Sequence, residues 1–290
     1  MKAPAKINLT LRILSKRADG YHEISSLMRA IRLCDEVEIT LRTGGSEGLA
    51  PPVLSIRSDT ESVPEGSGNI AYRAAELMTG MYPGRCSHID IELKKNIPVT
   101  AGLAGGSADA AAVLLGLAKE LAPEAALADV ASWGAKLGMD VPFCVYTCAA
   151  ANPALGYKGA GAALAERAGD ALTIIAAPEK AWIVLVAPPV EVPTKQVYEL
   201  FDIWKGPVSD SDNDLEAPCA DAWPVVAESL IKLKTICADE GACDVKVQLS
   251  GSGPAVFAYF YEPQKALAER VCARAKTVFR GVPVYFTDTL

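Results

Sequence analysis

The chain has 290 residues, half of them hydrophobic and 22% charged, enough for about two domains, each with a buried core. Its formal net charge of −7 argues against broad nucleic-acid or anionic-membrane binding, which need a positive surface, and leaves room for a local basic pocket that takes an anionic metabolite. The eight cysteines stand singly among mostly apolar neighbours, with no CxxC pair, and read as small buried hydrophobes in a reducing compartment.

No targeting segment is visible, because residues 1–4 run directly into patterned sequence. The uncharged stretch 141–157 is interrupted by Pro142, Asn152 and Pro153 and is short for a bilayer span. The expectation is a cytoplasmic or stromal protein.

Near the N-terminus, Ile7, Leu9, Leu11 and Ile13 alternate with Lys6, Asn8, Thr10 and Arg12. That is the pattern of a half-buried strand, and it puts Lys6 and Asn8 on one face. Asp19-Gly20 signals a turn before Tyr21-His22-Glu23. Residues 37–42 and 53–57 predict strands, and residues 69–82 carry apolar side chains at helical spacing. Ile89, Ile91 and Leu93 alternate in a strand that ends at Lys94-Lys95. The uncharged loop 96–106 follows, then an alanine- and leucine-rich helix over 107–121 and another over 126–137. Residues 138–142 read as a turn, and 149–161 as a crossover between domains. In the second half, strands fit 172–176, 182–187, 244–249 and 255–260, and helices fit 194–203, 224–238 and 263–278. Mixed strands and helices in both halves indicate an α/β or α+β architecture.

The loop from Pro98 to Asp109 is the most informative segment. Glycines at 102, 105 and 106 let the backbone turn with its N–H groups facing inward, and the following helix adds unsatisfied N–H groups and the positive end of its dipole. A polyphosphate suits such a nest; a flexible loop before an alanine-rich helix is the alternative. The segment has Gly-Ser-Ala where a Walker A motif needs Gly-Lys-Ser/Thr, and its spacing differs from the dinucleotide fingerprint.

Pro98 to Ala108, with Gly106 as one extra glycine, resembles the central motif of the GHMP kinases, named for galactose, homoserine, mevalonate and phosphomevalonate. Pro4-Ala5-Lys6-Ile7-Asn8-Leu9, Asp19-Gly20-Tyr21-His22, Leu137-Gly138-Met139-Asp140-Val141-Pro142, Asn213-Asp214-Leu215-Glu216 and Ser250-Gly251-Ser252-Gly253 follow the same family in order. Within it they are similar to the members that phosphorylate the tertiary 2-hydroxyl of 4-diphosphocytidyl-2-C-methyl-D-erythritol, in the non-mevalonate isoprenoid pathway. The resemblance implies a two-domain α+β fold. Its N-terminal domain would be ribosomal-protein-S5-like (1–157, ATP-binding), its C-terminal domain ferredoxin-like (158–290, substrate-side), with the active site between them.

By position, the resemblance makes Lys6 and Asp140 the catalytic pair. A tertiary alcohol is crowded and barely acidic, so a carboxylate near the hydroxyl and a cation to hold charge suit the reaction. The resemblance also places Asn69, Lys95, Pro98, Gly102, Leu103, Ala104, Gly105, Gly106, Ser107 and Ala108 at ATP. Asn8, Tyr21, His22, Thr194, Gly251 and Ser252 fall at the substrate, with Tyr21 suited to stack on cytosine and His22 to bond its edge. ATP is the co-substrate and Mg²⁺ is expected, with Ser107 and Asp109 as candidate indirect ligands. With only two histidines in the chain, no His-based metal site is expected. Read alone, Lys6 also fits a solvated strand lysine, Asp140 a turn cap, His22 a loop histidine, Thr194 a helix cap and Gly251-Ser252-Gly253 a plain β-turn. The chain departs from the family at Gly156-Tyr157-Lys158-Gly159-Ala160-Gly161, at Ala104 where glycine is commoner, and at Pro254. Other GHMP kinases, a non-catalytic relative and a dinucleotide-binding oxidoreductase are the competing classes.

Overall fold

A computed structural model describes residues 1–43, 51–207 and 211–290. The chain forms two compact units, one of residues 1–5, 33–99 and 104–161, the other of 6–32, 100–103 and 162–290. The units are discontinuous in sequence, and the last passage between them falls at 161/162, where the expected boundary was 157/158. Two long N-terminal strands explain this, because each gives part of its length to either unit. β1 (Lys2–Lys16) changes unit after residue 5 and β2 (His22–Thr43) after residue 32.

In the first unit, residues 36–43 of β2 pair antiparallel with β4 (Cys86–Lys94), and β3 (Val53–Ser58) pairs parallel with β4. Helices α1 (Ile70–Met81), α2 (Gly105–Leu121), α3 (Leu127–Gly134) and α4 (Val141–Ala151) complete it. Ala71, Ala74 and Ala75 of α1 and Ala108, Ala110, Ala111 and Ala112 of α2 are wholly buried, so α2 is enclosed rather than striped. Small side chains let helices pack at short interaxial distance. A Cβ at Gly116 would lie 2.6 Å from Ile39 Cδ1, which shows how closely α2 packs on β2.

In the second unit, β1 and β2 form a hairpin through the Asp19-Gly20 turn, where Gly20 has φ +88° and Arg17 N–H donates to Tyr21 C=O at 2.8 Å. Residues 24–29 of β2 pair with β5 (Ala162–Arg167), and β5 with β6 (Ala171–Ile174). A separate antiparallel sheet, in the order β10-β7-β9-β8, contains β7 (Ala181–Val186), β8 (Lys246–Leu249), β9 (Val256–Tyr261) and β10 (Val284–Asp288). Helices α5 (Thr194–Ile203), α6 (Glu216–Ala222), α7 (Pro224–Asp239) and α8 (Lys265–Val278) complete this unit.

Several local expectations change. β1 is not half-buried: every residue from Ala3 to Leu9 is buried, Lys6 and Asn8 included. Helix α2 starts at Gly105, two residues before the expected start. Helix α4 runs from the end of the expected turn at 138–142 into the expected crossover at 149–161, and Pro142 stands in its first turn, where proline costs no hydrogen bond. The apolar composition of α4 has no stripe because the helix is buried on most sides. Strands β5 and β10, helix α6 and the first half of β2 carried no clear sequence signal. In β2 the buried face is His22, Ile24, Ser26, Met28 and Ala30, so polar residues mask the alternation. All eight cysteines are free thiols, six of them buried, as their apolar surroundings indicated.

Candidate active site

The first unit gathers three helix N-termini around one side chain. Ile70 opens α1; a Cβ at Gly106 would lie 3.4 Å from its Cγ2, and one at Gly138 would lie 3.4 Å from its Cδ1. The starts of α1, α2 and α4 therefore converge, each carrying N–H groups without intrahelical partners and a partial positive charge of about half an electron. One such terminus stabilises an anion by about 0.3–1 kcal/mol when exposed. Three converging termini add these contributions at one place.

The loop entering α2 supports this. Thr100 (φ +56°), Gly102 (φ +73°) and Ala104 (φ +58°) are left-handed at every second residue. Such alternation turns successive N–H groups inward into an anion nest. A β-branched threonine and an alanine at positive φ are strained, and strain of this kind collects at functional sites. The family's glycine at 104 has its reason here: Ala104 holds the left-handed N-cap of α2. Gly105, Gly106 and Ser107 form the accessible first turn, while Ala108 is buried and its N–H donates to Ala104 C=O at 2.9 Å. Pro98 is half-buried at the loop entrance.

The neighbouring polar groups are engaged in the fold. Asn69 is buried at the N-cap of α1, accepting from Ala71 N–H (2.9 Å) and donating to Pro64 C=O (3.0 Å). Lys95, its side chain 6% exposed, directs Nζ to Asp35 Oδ2 and to Asp109 Oδ2, the latter at 2.5 Å. Burial works against the ammonium, yet the charges of Asp109 and Asp35 outweigh it and hold Lys95 above its usual range. Burial, with Asp35 alongside, pushes Asp109 up to about 7 despite Lys95. Asp109 Oδ1 is buried without a hydrogen-bond partner. Oδ2 of Asp109 is tied to an ammonium, and among the described residues no group of three or more His, Cys, Asp or Glu side chains could hold a metal ion. Asp140 occupies the N-cap position of α4 but its side chain makes no capping bond, which removes the capping alternative.

The second unit assembles most of the remaining candidates. Lys6 Nζ donates to Asn8 Oδ1 (2.8 Å) and Asn8 Nδ2 to Ser26 Oγ (2.7 Å), so the face predicted from alternation is real and buried. A Cβ on Gly251 would lie 3.2 Å from Asn8 Oδ1 and 3.6 Å from Lys6 Nζ. Gly102 packs on the same turn, where a Cβ would lie 2.6 Å from Ser250 O and 2.7 Å from Gly253 O. Leu103 is buried and its C=O accepts Lys6 N–H at 3.0 Å. Thr194 and Ser252 share a 2.9 Å hydroxyl bond, so Thr194 is tied to the Gly251–Gly253 turn. The Gly253–Pro254 peptide is cis. Asn213 secures this turn with Nδ2 bonds to Leu249 C=O (3.0 Å) and Gly251 C=O (2.7 Å).

His22 is not a loop histidine. It is buried on β2, with Nε2 bonded to Asp202 Oδ1 at 2.7 Å and its ring 4.9 Å from that of Tyr198, tilted by 31°. Phe201 meets it edge-on at 6.5 Å. Lys16 and then His22 bond the Asp202 carboxylate and hold it below its usual range. Tyr21 stays 54% exposed beside this cluster in sequence. Tyr198, Phe201 and Asp202 were missed; their signal was an aromatic pair at i, i+3 on a helix already visible. Ile70 and Asn213 were also missed, the latter inside a quoted motif but without a role.

Residues 69–148 match the N-terminal domain of the GHMP kinases. The chain is 37% identical to the 4-diphosphocytidyl-2-C-methyl-D-erythritol kinase of Geobacter sulfurreducens, over 96% of each chain. It is also 37% identical to that of a Geobacillus species, over 89% of this chain and 86% of the other. A solved 4-(cytidine 5'-diphospho)-2C-methyl-D-erythritol kinase superposes with TM-score 0.73 and 27% identity, over 100% of this chain and 98% of that one. Homoserine kinase from Cytophaga hutchinsonii shares the fold at TM-score 0.63 and 20% identity, over 100% and 95% of the chains. The chain belongs to the 4-diphosphocytidyl-2-C-methyl-D-erythritol kinase family of GHMP kinases.

Proposed function

We propose that this protein transfers the γ-phosphate of ATP to the tertiary 2-hydroxyl of 4-diphosphocytidyl-2-C-methyl-D-erythritol. The observation that carries the nucleotide half is the alternating left-handed loop 100–104 running into the exposed first turn of α2. Gly102 to Ser107 hold the phosphates through backbone N–H groups, with Ala108, whose N–H is committed to Ala104 C=O, and Pro98, Asn69 and Lys95 at the border of this region.

In the transfer, the substrate hydroxyl oxygen forms a bond to the γ-phosphorus, the bond from that phosphorus to the β,γ-bridging oxygen breaks, and ADP leaves. Asp140 accepts the hydroxyl proton. Lys6, held by Asn8, offers a fixed cation to the phosphoryl oxygens as charge moves on to them. Asn8, Thr194, Gly251 and Ser252 orient the methylerythritol diphosphate part. At the cytidine end, His22 Nε2 is committed to Asp202, so Nδ1 is the nitrogen offered to the base edge, and Tyr21 supplies an exposed ring for stacking.

Magnesium accompanies the nucleotide in this reading as a co-substrate ion, without a carboxylate cage of its own in the protein. No helix among the described residues is long and apolar enough to cross a membrane, and we place the enzyme in the cytoplasm or stroma as a small-molecule kinase. The test is ADP release coupled to an indicator reaction, with the diphosphocytidyl substrate set against mevalonate and homoserine. Turnover of mevalonate or homoserine in preference would assign the chain to another GHMP specificity.

A further inference from the structure

Asp35 belongs to none of the motifs in the sequence, yet it is 0% exposed and lies under the nucleotide loop's entrance. Its Oδ1 accepts the backbone N–H groups of Asn96 (2.6 Å) and Ile97 (2.8 Å), and its Oδ2 accepts from Lys95 Nζ. Asn96 Nδ2 adds a bond to Cys34 C=O at 2.9 Å. A Cβ on Gly105 would lie 3.5 Å from Asp35 Oδ2 and 3.1 Å from Ile97 Cγ2, so the first residue of α2 rests against the same clasp. Lys95 then reaches Asp109, at the start of the second turn of α2. One carboxylate therefore joins β2, the segment leaving β4 and the N-terminus of α2.

The charges decide what Lys95 can do. Two carboxylates surround one ammonium, so the cluster offers a phosphate no net attraction, and the ammonium is nearly closed to solvent. Burying such a group costs several kcal/mol per ion, which makes a purely stabilising role a poor explanation, whereas fixing a geometry is a well-attested use.

We propose that Asp35 is a positioning residue for ATP, acting through Lys95 and the backbone of residues 96–97 to hold the first turn of α2, and that Lys95 is the strut of this clasp and does not contact phosphate. The inference rests on α2 being the phosphate-binding helix, as read above.

The test uses the full-length Asp35→Asn variant, titrated with ATP by calorimetry and followed by steady-state kinetics. A strut predicts ATP affinity weaker by roughly tenfold, because a small misplacement of binding groups is costly, with kcat and the KM of the second substrate near wild type. If Lys95 instead contacts phosphate, Asp35→Asn frees the ammonium and ATP binds equally well or more tightly, which overturns the proposal. A fall in kcat alone, with ATP affinity unchanged, overturns it too. Should the single variant not fold, the Asp35→Asn/Lys95→Gln/Asp109→Asn triple variant leaves no orphaned charge. A lost strut then weakens ATP by one factor at every ionic strength, whereas a lost phosphate contact weakens it most at low salt and refutes the clasp. Failure of the wild type to bind ATP at all would remove the nucleotide reading itself, and is separable from every outcome above.

Discussion

The start of α2 and the surroundings of His22, the two ligand sites proposed above, are built in different ways. At α2 the accessible first turn offers backbone N–H groups, and the charged side chains Asp35, Lys95 and Asp109 are buried in the interior. Around His22 the side chains themselves face the task, and Asp202, 20% exposed, is shared by Lys16 (2.5 Å) and His22 (2.7 Å) close to water. A buried cluster keeps its electrostatic strength and is sensitive to any orphaned charge, while a solvated pair is screened and adds little stability. On the proposed assignment, the first arrangement would hold a ligand common to many kinases and the second would supply a particular edge for a particular base.

The largest test concerns Asp140, the one side chain of the first unit given a chemical step. Asp140→Asn should lower kcat by roughly 10² to 10⁴, with ATP affinity little changed. Near-wild-type turnover would reduce the first unit to a backbone device and leave the proton acceptor unassigned. Next comes Gly102→Ala. Its φ of +73° and the carbonyls 2.6 and 2.7 Å from a Cβ predict a loss of about 3 kcal/mol in denaturant unfolding. A variant as stable as wild type would show that the 100–103 loop yields easily and that its backbone geometry is not fixed by packing.

His22→Ala should weaken the cytidine substrate by about tenfold and ATP far less, the scale of one lost hydrogen bond and ring contact. Titration showing the reverse would exchange the two ligand assignments. A further effect is expected in the pH dependence of stability. Asp109 is raised from 3.8 to about 7 in the folded chain, so between those values the folded state holds a proton that the unfolded state releases. Stability should therefore fall as pH rises from about 4 to about 7 and level off above. Asp109→Asn should flatten that window in chemical denaturation; an unchanged slope would mean that the cluster does not titrate through Asp109.

Much of this was visible in the residues. The period-two pattern of residues 6–13 put Lys6 and Asn8 on one face, and their 2.8 Å bond is that face. Residues 194–203 read as a helix and α5 has those bounds. The glycines of 102–106 marked the turn into α2. Local signals such as these depend on neighbours within one turn or one pleat, and the chain order contains them.

The rest depended on separation in sequence. His22 meets Asp202 across 180 residues and Lys95 meets Asp35 across 60. Asp35 looked like one acid among 35 acidic residues until burial gave it three donors. Ile70 looked like the first apolar residue of a helix, and only packing put it between Gly106 and Gly138. The sequence by itself determined the periodicities, the flexible backbone points and the family. Tertiary structure decided which polar side chains are buried together, because desolvation and charge pairing depend on what surrounds a group in space and leave no period along the chain.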